Sequence, residues 1–290
     1  MVPTTQPPAL AGSGYGAPQV VGTIADPAVV ESSGLVASRH NAGLYWTHND
    51  SGDDPFLYCL QPSGDACGVW QVTGASARDW EDIAAGPGPE AGRTYLYVGE
   101  IGDNLVDQDP VTVYRVPEPG VPRIGSGPTR AAPAATEAAE ALRLRYPDGP
   151  HNAEALAVHP QTGDVYIVAK EANPGVYVAR APLRSGTTTT MEKVATLPIG
   201  QSNRTQATGA DISPDGTRVA IAAYSDGYEL RLPPGASSFD AVWQQPPVRI
   251  ALGQRVQGEA IAYRLDGNAL LTTTERPGGF SGPIHEIQRV

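Results

Sequence analysis

Lysine is almost missing from this chain: only Lys170 and Lys193 stand among 20 basic residues, against 31 acidic ones, for a formal net charge of -11. So acidic a chain is repelled by nucleic acid and by anionic membrane surfaces, which excludes both as expected partners. Long apolar runs are missing too. No window approaches the roughly eighteen uninterrupted apolar residues that cross a bilayer, so membrane insertion is not expected. There is no GxSxG elbow, no P-loop, no HExxH and no paired-cysteine metal pattern, and the five histidines (40, 48, 151, 159 and 285) are scattered. These gaps speak against serine hydrolase, nucleotide-triphosphate and zinc chemistry.

Cysteine is limited to Cys59 and Cys67, which flank QPSGDA between the alternating runs FLYCL and GVWQV. A cross-hairpin disulfide fits that spacing, and so do two buried thiols, because the Cβ directions cannot be read from sequence. A bonded pair implies an oxidising compartment. The start, MVPTTQPPALAGSG, has neither a basic n-region nor an apolar h-region. Residues 1–17, rich in Pro, Thr and Gly, are expected to be a flexible leader of the kind that follows a removed signal sequence, and the protein is expected to be secreted.

What the chain has in quantity is turn formers, with 33 Gly and 28 Pro in 290 residues. Long helices are excluded, and the one helical pattern is the Ala/Glu-rich run 131–141. A repeat is evident instead. An acid precedes a short apolar strand at Glu31 (ESSGLVAS), Glu81 (DWEDIAA), Glu154 (NAEALAV), Asp211 (GADIS) and Glu259 (GEAIAY), with gaps of 50, 73, 57 and 48 residues. Recurrence on that scale marks an array or a propeller.

Each unit continues through a turn such as HPQTGD, SPDGT or RLDGN into a second strand, then a third. The second strands are GLYWTH, TYLYVGE, DVYIVAK, RVAIAAY and NALLTTTE; the third are FLYCL, VTVYRV, GVYVARA, GYELRL and PIHEIQRV. GVWQVTG, ALRLRYP, KVATLPI and PVRIALG supply fourth strands for units one to four, and the fifth has none. The early segment PQVVGTI (18–24) is therefore predicted to complete the last blade and so bury an open edge. The expected fold is all-β: a single propeller over 18–290, of five blades, with six if 118–140 hides another hairpin.

In antiparallel blades the start of the first strand and the end of the second share one face. That face gathers Glu31, Asp79, Glu81, Asp82, Asn152, Glu154, Asp211 and Glu259 from the first strands. His48, Asn49, Asp50, Glu100, Asp103, Asn104, Lys170, Glu171, Tyr224, Asp226, Glu275 and Arg276 come from the second. The Asp and Asn residues of THNDSGDD and GEIGDN also serve as ordinary turn formers. The first-strand acids are costlier to bury and must meet a cation, an arginine or water. Period-two alternation puts Glu31, Glu81, Glu154 and Glu259 on one side, with Asp82 and Asp211 opposite unless a bulge intervenes.

Oxygen ligands without Cys or clustered His select a hard cation, and calcium is the expected ion. Glu81, Asp82 and His48 are the candidates for general base. Asn49, Asp50, Asp103, Lys170 and Arg276 are the candidates for contact with substrate, Lys170 and Arg276 being the obvious cations of the face.

The strand starts together with THNDSG, DWEDIA, YVGEIGDN, NAEALAV and ADISPDG give the chain from about Pro18 to Val290 a pattern. That pattern resembles the calcium-dependent propeller hydrolases (the regucalcin and gluconolactonase group and phytase-like esterases) and exported actinobacterial propellers. The resemblance implies Glu31, Glu154 and Asp211 as calcium ligands, with Asn104 or Asn49 as amide partners; Glu259 joins them as a ring acid. The chain departs from the first group in its five units and in ESSGL where EGP is usual. The expected activity is hydrolysis of an ester, lactone or phosphoester by a monomer acting on a small molecule or glycan. The alternatives are a glycosidase using Glu154 and Glu259, and a non-enzymatic glycan- or protein-binding propeller with a structural metal.

Overall fold

The computed structural model describes residue 10 and residues 12–122, 127–275 and 282–290. Five small sheets stand around one axis as a five-bladed β-propeller. Blade one runs outward through Ser32–Ala37, Tyr45–Asn49, Phe56–Leu60, Ala66–Thr73 and Ala134–Ala138. Blade two runs through Trp80–Pro87, Thr94–Glu100, Val111–Pro117, Glu140–Arg145 and Thr188–Thr190. Blades three and four have four strands each, beginning with Ala153–Val158 and Ala207–Ile212. Blade five is Gly258–Tyr263, Ala269–Thr274 and Pro283–Gln288, completed by the early strand Gln19–Thr23 lying antiparallel to Pro283–Gln288, as expected.

The innermost strands are built from small residues (SSGLVA, WEDIAA, AEALAV, ATGADI, GEAIAY), which lets five of them touch in sequence around the axis. An ideal Cβ on Gly34 would lie 2.6 Å from both His48 Nε2 and Ile83 N, so nothing larger fits there. The three inner strands of blade three are buried on both faces, while its outer strand Glu192–Thr196 is largely exposed. Apolar layers fill each gap between neighbouring blades, with Trp46, Trp70 and Trp80 in the gap between blades one and two. Such layers, rather than one central core, hold the ring together.

Two expectations change. The run 131–141 is not helical: Ala134–Ala138 extends blade one in parallel with Ala66–Thr73, and Glu140 begins a strand of blade two. Tertiary pairing overrides Ala/Glu propensity here, because Thr73 donates from both its N–H and its hydroxyl to Thr136, and the ALRLR alternation buries Leu142 and Leu144. The described residues of 118–140 add one outer strand, Ala134–Ala138, to blade one, and the sheets number five. Within the segment read as a leader, Tyr15 is buried, bridges to Arg289, and its hydroxyl donates to Glu229. Cys59 and Cys67 form a disulfide. Among the described residues the one helix is the short 3₁₀ segment Phe239–Gln244.

Polar bonds tie the innermost strands together along the axis. Ser33 Oγ donates to the Glu81 carbonyl at 2.6 Å, and Thr208 Oγ1 to the Glu259 carbonyl at 3.0 Å. Asp82 does more: its Oδ1 accepts from Ile83 N at 2.8 Å and its Oδ2 from both Leu156 N and Ala210 N at 2.9 Å. One fully buried carboxyl thereby joins blades two, three and four. Replacing Asp82 by Ala strands three buried N–H groups, each costing about 1–3 kcal/mol, so urea unfolding should show a loss of at least ~3 kcal/mol. A loss below about 0.5 kcal/mol, the range of a neutral surface change, would contradict this role.

Candidate functional site

Every innermost strand carries a bulge at its second residue, seen as a register shift against the next strand. The shifts fall between Ser32 and Gly34, Trp80 and Asp82, Ala153 and Ala155, Ala207 and Gly209, and Gly258 and Ile261. The bulged residues are Ser33, Glu81, Glu154, Thr208 and, in blade five, Glu259 with Ala260. Three of them are acids brought to one end of the axis. Glu31 precedes its strand and is matched by Asp79, Asn152 and Gln257, because Glu31, Asn152 and Gln257 carbonyls accept from Asp50, Lys170 and Glu275 N–H groups. Past the second strands come Asp50, Lys170, Tyr224 and Glu275, which complete the mouth.

The tightest grouping is Asp50, Asp79 and Glu81, each offering a carboxylate oxygen within 4.8 Å of the others. Among the described residues no salt bridge reaches any of them, and Asp50 Oδ1 is buried without a hydrogen-bond partner. Glu81 is 4% exposed. Glu100 fixes the approach of Asp79, its carboxylate accepting from Arg78 N at 3.0 Å and Asp79 N at 2.8 Å. Opposite the carboxylates lies Gly102, where a Cβ would stand 2.1 Å from Glu81 Oε1 and 2.4 Å from an Asp79 oxygen. The absence of a side chain at Gly102 is what lets both carboxylates approach its backbone. Three carboxylates from two segments, the turn after Tyr45–Asn49 and the head of Trp80–Pro87, with one oxygen orphaned, fit a hard cation.

The single lysine of the mouth does not neutralise this trio. Lys170 Nζ is bonded to Glu154 and donates to Tyr224 Oη at 2.7 Å. Burial raises Glu81 and Glu259 well above the usual carboxylate range, and Glu154 adds to both. Burial also pushes Asp50 up to about 7, helped by Asp79, Glu154 and Glu31. Glu275 is likewise pushed up to about 7 by burial, then by Asp50, Glu31 and Glu154. The mouth is thus a set of acids that cannot all ionise beside one another.

Other residues expected at the site have different work. Asp82 is committed to three N–H groups on the axis, so it has no free oxygen for proton transfer. Asp211 is buried deeper along the axis and accepts from Tyr263 N at 2.8 Å, which joins blades four and five and separates it from the mouth acids. His48 is fully buried, with Nδ1 2.8 Å from the Asn49 carbonyl and Nε2 against Gly34 and the Ile83 backbone. Burial pulls its imidazole down to about 4, so it stays neutral and shielded. Asn49 is a clamp: Oδ1 accepts from Val30 N and Glu31 N at 3.0 Å, and Nδ2 donates to the Ala28 carbonyl and to Asp53.

Asp103 accepts from Gln108 N at 2.7 Å as a turn former, and Asn104 is exposed at the rim, where its Oδ1 accepts from Asn152 at 3.3 Å. Arg276 lies outside the described residues. Asp79 and Glu275 are the members of the mouth that strand-start acidity alone underrates, Asp79 because Glu81 two residues on draws attention first. The signal for Asp79 was its place one residue ahead of the strand, level with Glu31.

The raised acids have a consequence for folding. Their folded-state pKa lies above the unfolded value of roughly 4, so between pH 4 and 7 the folded chain holds protons that the unfolded chain releases. The stability of cation-free protein should therefore fall as pH rises through about 7, where Asp50 and Glu275 titrate. Urea melts in EDTA at pH 5 and pH 8 check this, and the double variant Asp50→Asn, Glu275→Gln should flatten the dependence. No family model and no curated protein sequence matches this chain.

Proposed function

We propose that the axial mouth binds a divalent cation, most suitably calcium, and that the protein uses it to hydrolyse an ester, lactone or phosphoester. The observation that carries this reading is the Asp50, Asp79 and Glu81 trio, its oxygens within 4.8 Å of one another and two of its carboxylates packed against side-chain-free Gly102. Oxygen-only donors favour calcium or magnesium over zinc, and calcium accepts carboxylates in a looser, more variable shell. Asp50, Asp79 and Glu81 would hold the ion, with Glu31 in reach of the same field. When bound, such an ion polarises a substrate oxygen and acidifies water.

The remaining groups of the mouth suit the rest of that chemistry. Glu275, pushed up to about 7, is matched to proton transfer near neutral pH. Lys170 is held in place by Glu154 and Tyr224 and sets one fixed positive charge where negative charge develops on a substrate oxygen. Secretion is part of the same proposal and is supported by the Cys59–Cys67 bond, since such bonds persist in oxidising compartments.

A second reading draws on a different observation. Burial raises both Glu154 and Glu259, and the Lys170 ion pair draws Glu154 back toward its charged form, a difference between two carboxylates of the kind a glycosidase uses. Calcium dependence separates the two.

Under the main reading, calcium added to EDTA-stripped protein at pH 8 raises stability, by ~2.7 kcal/mol at a hundredfold excess over Kd. Glu81→Gln and Gly102→Ala should each weaken calcium binding at least tenfold in isothermal titration, and hydrolysis of lactone or phosphate-ester probes should fall in parallel. Turnover that survives chelation would move the assignment to the glycosidase. Calcium binding without turnover on any probe would leave a binding propeller.

A further inference from the structure

A second cavity opens on the same face as the acidic mouth but off the axis, between blades four and five. Its walls come from the loops that enter Ala207–Ile212 and Gly258–Tyr263 and from the turn after Arg218–Ala223, all at the mouth end of their blades. The cleft measures 680 Å³, room for a small organic molecule.

Its charge is the reverse of the mouth's. Arg255 forms part of the wall, is 8% exposed, and lies across Gly258, where a Cβ would be 2.3 Å from the guanidinium carbon. Its Nη2 donates to the Ala223 carbonyl at 2.7 Å and the Asp226 carbonyl at 3.3 Å. Nε and Nη1 are buried with no acceptor among the described residues. A guanidinium carries five donors and stays charged, so burying one beside two carbonyls leaves a cation whose compensation is incomplete.

Among the described residues no acid forms a salt bridge with Arg255, although Asp226 attracts it. Asp226, the acid in the wall, is paired with Arg249. Glu259 attracts Arg255 across a distance but forms no salt bridge with it. Arg204, exposed on the opposite wall, adds a second positive charge, and Ser225 adds a hydroxyl. In a chain of net charge -11, a cleft lining with Arg204 and Arg255, whose acid Asp226 is already paired with Arg249, makes a local positive well.

Apart from Gln254 and His285, the rest of the wall is apolar. Leu252 and Pro283 line it, and Val20 and Val256 at its edge are 52% and 74% exposed, two of the few large apolar side chains this open to solvent. Positive charge at one end and bare aliphatic surface at the other call for a ligand with an oxyanion head and a hydrocarbon body. We propose that this cleft binds an organic carboxylate, its head toward Arg255 and Arg204 and its chain along Leu252, Val256 and Val20. The site is separate from the mouth and does not need a cation there.

Isothermal titration of the full chain with hexanoate, acetate and inorganic phosphate, first in EDTA and then with calcium, tests the assignment. Hexanoate should bind in both conditions, at least tenfold tighter than acetate or phosphate. Arg204→Glu, an exposed change that leaves the fold intact, should weaken hexanoate at least tenfold, as should Arg255→Gln. Val256→Ser should weaken hexanoate while leaving acetate unchanged. Absence of hexanoate binding to the unaltered chain, equal affinity in Arg204→Glu, or tighter binding of phosphate than of hexanoate would each overturn the proposal. Because the first titration is run without calcium, its outcome is independent of whether the mouth binds a cation.

Discussion

Five strands converging on one axis leave almost no room between them, and that crowding governs everything else in the molecule. The innermost strands must be small-residue strands, and their N–H and C=O groups at the axis must be satisfied by whatever side chains reach them. Asp82 and Asp211 do this by accepting N–H groups from neighbouring blades, and Ser33 and Thr208 do it by donating to neighbouring carbonyls. The same crowding forces the bulge at the head of each innermost strand, and the bulge turns Glu81, Glu154 and Glu259 toward the mouth.

Electrostatics follow from that geometry. Acids gathered at the end of a narrow ring cannot all be solvated, so burial and mutual repulsion raise them together, and one lysine is too little to offset the group. Glu154 takes that lysine for itself. Among the described residues the trio across the mouth is left without a salt-bridge partner, two of its carboxylates packed against Gly102. A cation there would relieve repulsion in proportion to how many of the acids are ionised, which ties its affinity to pH.

Much of this was legible in the sequence. The spacing of the acids, the hairpin turns and the missing fourth strand of unit five foretell five blades closed by Gln19–Thr23. Simple alternation could not place the acids, because a bulge resets parity: Ser33, not Glu31, stands level with Glu81, and Thr208 takes the place that Asp211 seemed to hold. Nor could residue type separate the buried clamps, Asp82 and Asn49, from the open carboxylates, since the difference lies in which backbone groups a neighbouring blade presents. The strand at Ala134–Ala138 was hidden for a related reason, its conformation being set by pairing rather than by its own Ala-rich composition.

The proposed position of a hard ion among Asp50, Asp79 and Glu81 is open to direct measurement. Terbium substitutes for calcium and scatters anomalously, so an anomalous difference map from crystals grown with it reads the position directly. The account predicts one strong peak within coordination distance of all three carboxylates. A map without such a peak, or with its peak at Asp211 on the axis, would contradict it.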